Sequence, residues 1–144
     1  MGREVTIVGQ GLAGTCLAWR LWDRGRDFCL VHRGDRRSTS FISAGLVTPV
    51  TGRNLNPSWR LEEFLREARA FYQKVEMVLG EQFFYEVPIV RLFADADERS
   101  RFDRKRDVVD QWVSELLEQE NCPYHAPHGG VIWQGGGRLD TRRF

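Results

Sequence analysis

The sequence predicts an α/β protein that begins with a strand, a helix and a second strand. Residues 4–9 form a β-branched apolar run, residues 12–22 have helical spacing, and residues 28–31 form a second apolar run. A strand, a helix and a strand within about 30 residues make a βαβ unit with parallel strands and a right-handed crossover. The first part of the chain is therefore predicted to be Rossmann-like.

Length and composition are those of an ordinary globular protein. The chain has 144 residues, of which 42% are hydrophobic and 28% are charged. These values exclude collagen-like, low-complexity and disordered chains, and the length suits one domain or slightly more. The apolar runs are short, whereas a membrane span needs about 20 residues, so no integral membrane segment and a cytoplasmic location are expected.

The charges nearly cancel, since 21 Lys and Arg residues face 20 Asp and Glu residues. No global field would attract nucleic acid or an anionic membrane, so neither partner is expected. Cys16, Cys29 and Cys122 are far apart in the sequence, and the first two lie in strongly apolar segments. They are predicted to be buried reduced thiols.

The middle of the chain is predicted to be a long loop followed by a long helix. Residues 33–57 lack periodicity and are rich in small and polar residues, and loops of this length are usually functional or disordered. Asn56-Pro57 is typical of an N-cap followed by a proline at the first helical position. Residues 61–79 have helical spacing, which predicts an amphipathic helix that ends at Gly80.

The last third of the chain predicts two strands with a helix between them. Residues 83–93 are aromatic and β-branched and indicate a strand that Pro88 interrupts or places at an edge. The charged residues 95–107 lead into helical spacing over 108–117, which indicates a second amphipathic helix with a solvated charged face. Residues 131–133 indicate a short strand.

A glycine motif carries the main functional signal. Gly9, Gly11 and Gly14 match G-x-G-x-x-G between the first strand and the first helix. In this motif the first glycine permits a tight turn, the second lets a pyrophosphate approach the backbone, and the third allows close packing of helix on strand. The helix amino terminus offers N–H groups and a positive dipole end to the phosphates. The motif in this context predicts dinucleotide binding.

The end of the second strand departs from the usual pattern. His32 stands where an Asp or Glu usually binds the adenosine ribose, Asp35 is three residues further on, and Arg33, Arg36 and Arg37 form a basic cluster. Such a cluster suits a 2′-phosphate, as in NADP, or a pyrophosphate, and the alternative is a solvated basic loop. An NADP-binding Rossmann module and a non-catalytic nucleotide-binding fragment therefore remain open at this point.

The segment after the second strand carries a family resemblance. Ser38-Thr39-Ser40 and then SAGLVTPVTGR at residues 43–53 follow VTIVGQGLAG at residues 5–14. Together they resemble the D-amino-acid oxidase and glycine oxidase superfamily of FAD-dependent oxidoreductases, most clearly over residues 4–60. The resemblance implies FAD as the cofactor and a small-molecule amine or amino acid as the substrate. It also implies oxidation by hydride transfer to the flavin and hydrolysis of the resulting imine.

The resemblance also implies which residues contact FAD and how the chain is divided. It implies a dinucleotide-binding region at 1–80, the start of a mixed α+β substrate domain at 81–138, and the start of a return to the FAD domain at 139–144. We expect an amino-terminal part of a larger protein, inactive alone, with its catalytic residues beyond Phe144. The implied contacts are Gly9, Gly11, Leu12, Ala13 and Gly14 with the pyrophosphate, His32 and Arg33 with the adenosine, Thr39 and Ser40 with the phosphates, and Ser43, Ala44, Gly45, Leu46 and Val47 with the flavin ring.

A competing metal site receives less support from the sequence. Cys122, His125 and His128 have metal-like spacing, but two prolines intervene and no fourth ligand is evident. No metal is therefore expected.

Overall fold

The computed structural model describes residues 5–34 and 38–144. Its first elements are strand β1 (Val5–Val8), helix α1 (Leu12–Asp23) and strand β2 (Phe28–Val31). The two strands pair in parallel, with Val5 opposite Phe28 and Val8 opposite Val31. The predicted βαβ unit with parallel strands is confirmed. Within the described ranges, no helix has the length and apolar character needed to cross a membrane.

The segment between the βαβ unit and the long helix contains short elements. The loop predicted over 33–57 needs correction from residue 39 onward, where a one-turn helix and two-residue strands are too short to show a periodic pattern. The elements are helix α2 (Thr39–Ile42) and strands β3 (Leu46–Val47), β4 (Val50–Thr51) and β5 (Asn56–Pro57).

Helix α3 (Leu61–Leu79) ends where it is predicted to end but starts later than predicted. Asn56 and Pro57 are not its N-cap, because they pair with Thr51 and Val50 in an antiparallel hairpin. The helix instead follows Arg60, whose backbone φ of 49° is unusual for a residue other than glycine. The predicted end is confirmed: Gly80 has a φ of 68°, and its N–H donates to the Glu76 carbonyl.

The remaining residues form two antiparallel sheets with short helices. The elements are strands β6 (Phe84–Tyr85) and β7 (Ile89–Leu92), helices α4 (Ala96–Arg104) and α5 (Arg106–Val109), a 3-10 turn (Asp110–Trp112), and strands β8 (Val113–Leu117), β9 (Gly130–Trp133) and β10 (Gly137–Leu139). The strand orders of the two sheets are β3-β10-β6 and β7-β9-β8.

Two predictions in this part need correction. The strand expected over 83–93 is two strands, because β6 pairs with β10 whereas β7 pairs with β9. The helix expected over 108–117 is wrong over 113–117, where β8 pairs with β9 and this tertiary contact overrides the helical spacing, whereas residues 108–112 lie in α5 and the 3-10 turn. The charged stretch is itself largely helical, and the Asp95 side chain caps α4 by accepting the Glu98 N–H at 2.7 Å.

Two groups of apolar side chains form the core. One surrounds the fully buried Trp133 between the second sheet and α4, and the other lies under α3 around Tyr72 and Phe83. The expectation of buried thiols is wrong for Cys29, which is exposed. Among the described residues, the sheet formed by β1 and β2 has two strands, and Val8 at the end of β1 is 84% exposed.

Candidate functional site

The glycine turn between β1 and α1 has a geometry that depends on its glycines. Gly9 has a φ of 100°, and its N–H donates to the Val31 carbonyl at 2.8 Å, which ties the turn to the end of β2. A Cβ on Gly14 would lie 2.0 Å from the Gly9 carbonyl oxygen. Gly14 therefore allows α1 to begin directly against the turn.

An open cleft of about 760 Å³ lies beside this turn. The ends of both parallel strands, the start of α1, helix α2 and residues 141–144 line it. Six of the predicted contact residues lie on its wall, namely Gly9, Gly11, Leu12, His32, Arg33 and Ser40. The other eight are not among its lining residues, namely Ala13, Gly14, Thr39, Ser43, Ala44, Gly45, Leu46 and Val47.

Ser40 docks α2 on the start of α1. Its Oγ accepts the Leu12 N–H at 2.8 Å, across 28 positions of sequence. The same hydroxyl lies next to Gly11, since a Cβ added at position 11 would lie 3.2 Å from the Ser40 Oγ. A hydroxyl that accepts one hydrogen bond still has its own hydrogen to donate. Ser40 can therefore cap the helix and donate to a ligand in the cleft.

The end of β2 places His32 and Arg33 on the cleft wall, and both are exposed. The His32 Nδ1 accepts the Gly34 N–H at 2.9 Å, so its other ring nitrogen is available to a ligand. Arg36 and Arg37 of the predicted basic cluster lie outside the described residues, as does Asp35.

Residues 45–47 are fixed by contacts with β10. The Leu139 N–H donates to the Gly45 carbonyl at 2.9 Å, and a Cβ on Gly45 would lie 1.9 Å from the Leu139 carbonyl oxygen. Val47 and Leu46 pair with Gly137 and Arg138. Glycine is therefore required at position 45 by the close approach of β10.

The carboxyl-terminal segment supplies lining residues that the sequence did not assign to the site. Thr141, Arg142, Arg143 and Phe144 reach the cleft after β10. No motif in these residues indicated their position, because strand pairing brings them to residues about 100 positions earlier in the chain. Within the described part of the lining, there are three Arg residues and one His, and no Asp or Glu.

Below the cleft, α1 is held on α3. Burial raises the pKa of the Cys16 thiol, and burial together with the neighbouring Cys16 raises the pKa of Tyr72 to about 12. Both groups are therefore neutral near pH 7 and pack as uncharged side chains. Lys74 and Asp23 form an ion pair between the same two helices.

The cleft fits the diphosphate of a dinucleotide such as FAD. It offers a glycine at position 11, an α1 amino terminus whose first N–H groups have no intrahelical partner, and cationic side chains. The described lining has no carboxylate to repel phosphate. By contrast, no three potential metal-ligating side chains come together in residues 5–34 and 38–144.

Comparisons of this chain with known proteins point to one family. The family model described as DAO, FAD dependent oxidoreductase, matches residues 4–144. Two curated relatives are the tRNA 5-methylaminomethyl-2-thiouridine biosynthesis bifunctional proteins MnmC of Burkholderia lata and Burkholderia cenocepacia. They are 31% and 30% identical over 93% of this chain. The chain spans 23% of their length.

Two solved structures share the fold. Iminodiacetate oxidase (IdaA) from Chelativorans sp. BNC1 superimposes with a TM-score of 0.67, covering 97% of this chain and 41% of that one at 17% identity. The Tyr258Phe mutant of NikD, described as an unusual amino acid oxidase essential for nikkomycin biosynthesis, has a TM-score of 0.61, covering 98% of this chain and 39% of that one at 17% identity.

Proposed function

Because the chain belongs to the family of FAD-dependent oxidoreductases, we propose that its cleft binds FAD and that the protein oxidises an amine or an amino acid. The observation that carries the proposal is the cleft itself, where the glycine turn, the start of α1 and a lining without described carboxylates meet. Family membership favours FAD over NADP and over a non-catalytic nucleotide-binding fragment.

The proposed contacts follow from the position of each residue. Gly11 leaves room for the diphosphate, and the next N–H groups at the start of α1, those of Ala13 and Gly14, favour a negative group. The Leu12 N–H is already occupied by the Ser40 Oγ. Ser40 donates its hydroxyl hydrogen to a phosphate oxygen. The exposed ring nitrogen of His32 and the guanidinium of Arg33 serve the adenosine part.

Residues that do not line the cleft have proposed roles of a different kind. Gly14 positions α1, and Ala13 contributes through its backbone N–H. Thr39 helps to form α2, which carries Ser40. Residues 43–47 run along the flavin ring, where the small side chains of residues 43–45 allow the backbone to come close.

When bound, FAD supplies the acceptor for a hydride from the C–H bond next to the substrate nitrogen. The described residues bind and orient the cofactor: the glycine turn fixes the diphosphate, and strand β3 is held in place by β10. Orientation of this kind lowers the entropic cost of reaching the reactive geometry.

The substrate class is supported by the names of similar proteins. IdaA is an iminodiacetate oxidase and NikD an amino acid oxidase, and both names denote small compounds with a nitrogen next to carbon. The MnmC relatives are named for a methylaminomethyl group of tRNA, which also places C–H bonds next to nitrogen. A small amine or amino acid is the first proposal, and an aminomethyl group on tRNA is the second.

The test starts from the protein made from its natural gene. We expect it to be yellow after purification and to release FAD when denatured. The purified protein is then mixed, in the absence of oxygen, with amino acids, with secondary amines or with tRNA. One of these three classes should reduce the flavin and so bleach its absorbance. Bleaching by tRNA alone would favour the second candidate. A colourless protein that binds NADP and not FAD would contradict the proposal.

A further inference from the structure

We propose that Arg142 binds a phosphate of the dinucleotide and sets the affinity of this cleft for the diphosphate part of its cofactor. The inference rests on the proposed function, since it takes a dinucleotide as the ligand. It assigns a role to a residue outside the glycine motif and outside the segment that follows the second strand.

The structure holds Arg142 at the cleft wall. Its guanidinium carbon lies 5.3 Å from the centroid of the Phe41 ring, and its Nε donates to the Phe41 carbonyl at 3.5 Å. Its backbone N–H donates to the Asp140 Oδ1 at 3.2 Å, which fixes the turn after β10. Side chain and backbone are therefore both anchored beside the lining.

Helix α2 links this arginine to the glycine turn. Ser40 contacts the start of α1, and the next residue, Phe41, contacts Arg142. One short helix therefore places a guanidinium and a helix amino terminus on the wall of the same cleft. Both groups favour an anion, and a diphosphate has enough oxygens to contact both at once.

The charge of the cleft selects the class of ligand. Among its described lining residues there is no carboxylate, whereas Arg33, Arg142 and Arg143 contribute guanidinium groups. Arg143 has an acidic neighbour, because its Nε lies 3.8 Å from the Asp140 carboxylate, whereas the Arg142 guanidinium lies over the Phe41 ring. Planar guanidinium groups bind phosphate through two parallel hydrogen bonds. Arg142 is therefore the better placed of the two adjacent arginines.

The experiment compares ligands that differ in phosphate content. Arg142→Gln, Arg142→Lys and Arg143→Gln are made in the protein produced from its natural gene and stripped of cofactor. Dissociation constants are then measured for FAD, ADP and riboflavin. We expect Arg142→Gln to weaken FAD and ADP binding about tenfold and to leave riboflavin binding unchanged. Arg142→Lys should recover part of the loss, and Arg143→Gln should change binding by less than about threefold.

The comparison with riboflavin separates recognition of phosphate from damage to the fold. An equal loss for riboflavin and FAD, or a lower melting temperature of Arg142→Gln, would assign Arg142 a structural role and overturn the inference. Unchanged ADP and FAD affinity would also overturn it while leaving the proposed function intact. Failure of the unsubstituted protein to bind FAD at all would instead contradict the proposed function.

Discussion

Replacing Gly11 by alanine is expected to separate ligand binding from folding. Its backbone, with φ −83° and ψ −179°, is accessible to alanine, and the new methyl group meets one neighbour, the Ser40 Oγ at 3.2 Å. Weakening the Ser40 cap costs about 1 kcal/mol, and alanine restricts the unfolded chain by about 0.4–1 kcal/mol in the opposite direction. We therefore expect a melting temperature within about 4 °C of the unsubstituted protein.

Ligand binding should respond much more strongly to Gly11→Ala. The methyl group occupies the proposed path of the diphosphate and displaces the Ser40 hydroxyl, so at least two hydrogen bonds to a charged group are weakened. A loss of about a hundredfold in FAD affinity is expected, measured by titration of the stripped protein. Unchanged affinity would refute the placement of the diphosphate at this turn.

Gly14→Ala is the matched control for this experiment. Its Cβ would lie 2.0 Å from the Gly9 carbonyl oxygen, a backbone atom that cannot rotate away. The helix must move, at a cost of about 2–3 kcal/mol, and thermal unfolding followed by circular dichroism should show a decrease of about 5 °C or more. A Gly14→Ala protein as stable as the unsubstituted one would show that α1 does not pack on the turn as described.

Three further predictions concern stability and the adenosine contact. Burial would raise the pKa of Glu98, but hydrogen bonds from the Ala94 N–H and from Arg91 outweigh it and hold the pKa below its ordinary value of 4.5. The ionised Glu98 carboxylate therefore stabilises the fold above about pH 4.5, and this stabilisation is lost as the pH falls through the lower folded-state pKa. Glu98→Gln should lower the free energy of unfolding by about 2 kcal/mol at neutral pH and should make denaturant unfolding less dependent on acid pH. The Glu76 Oε1 accepts the Phe83 and Phe84 N–H groups at 2.8 and 2.7 Å. Glu76→Ala should therefore lower the free energy of unfolding by about 2 kcal/mol, and Glu76→Gln, which keeps an acceptor, should lower it less. Equal losses for the two variants would point to side-chain packing in place of these hydrogen bonds. His32→Asp should strengthen FAD binding by about 1 kcal/mol in calorimetric titrations, through a charge-assisted bond to the ribose. A substituted protein that loses NADP binding while FAD never binds would contradict the flavoprotein assignment.

The sequence predicted the elements that depend on local pattern. The βαβ unit and the end of α3 at Gly80 follow from apolar spacing and glycine chemistry, which act over a few residues. The segments 50–57 and 113–117 could not be predicted in this way, because their conformation is set by strand partners elsewhere in the chain. Helical spacing at 108–117 was overridden when Val113–Leu117 paired with β9.

The candidate site likewise contains residues that a local motif predicts and residues that only tertiary contacts bring to the cleft. Gly9, Gly11 and Leu12 belong to a motif whose geometry is local, and they line the cleft. Arg142 reaches the cleft through the pairing of β10 with β3 and β6, which no motif near residue 142 reveals. Ser40 was expected to contact phosphate, but its bond to the Leu12 N–H across 28 positions was not foreseeable from either segment alone.

The most direct test of the central claim is a crystal structure of the protein made from its natural gene, with FAD bound. The claim is that the diphosphate lies in the cleft between the glycine turn and helix α2. The predicted result is a diphosphate whose oxygens lie about 3 Å from the backbone N–H groups at the start of α1 and from the Ser40 hydroxyl. An FAD molecule whose diphosphate lies elsewhere, with no contact to residues 9–14, would contradict the account.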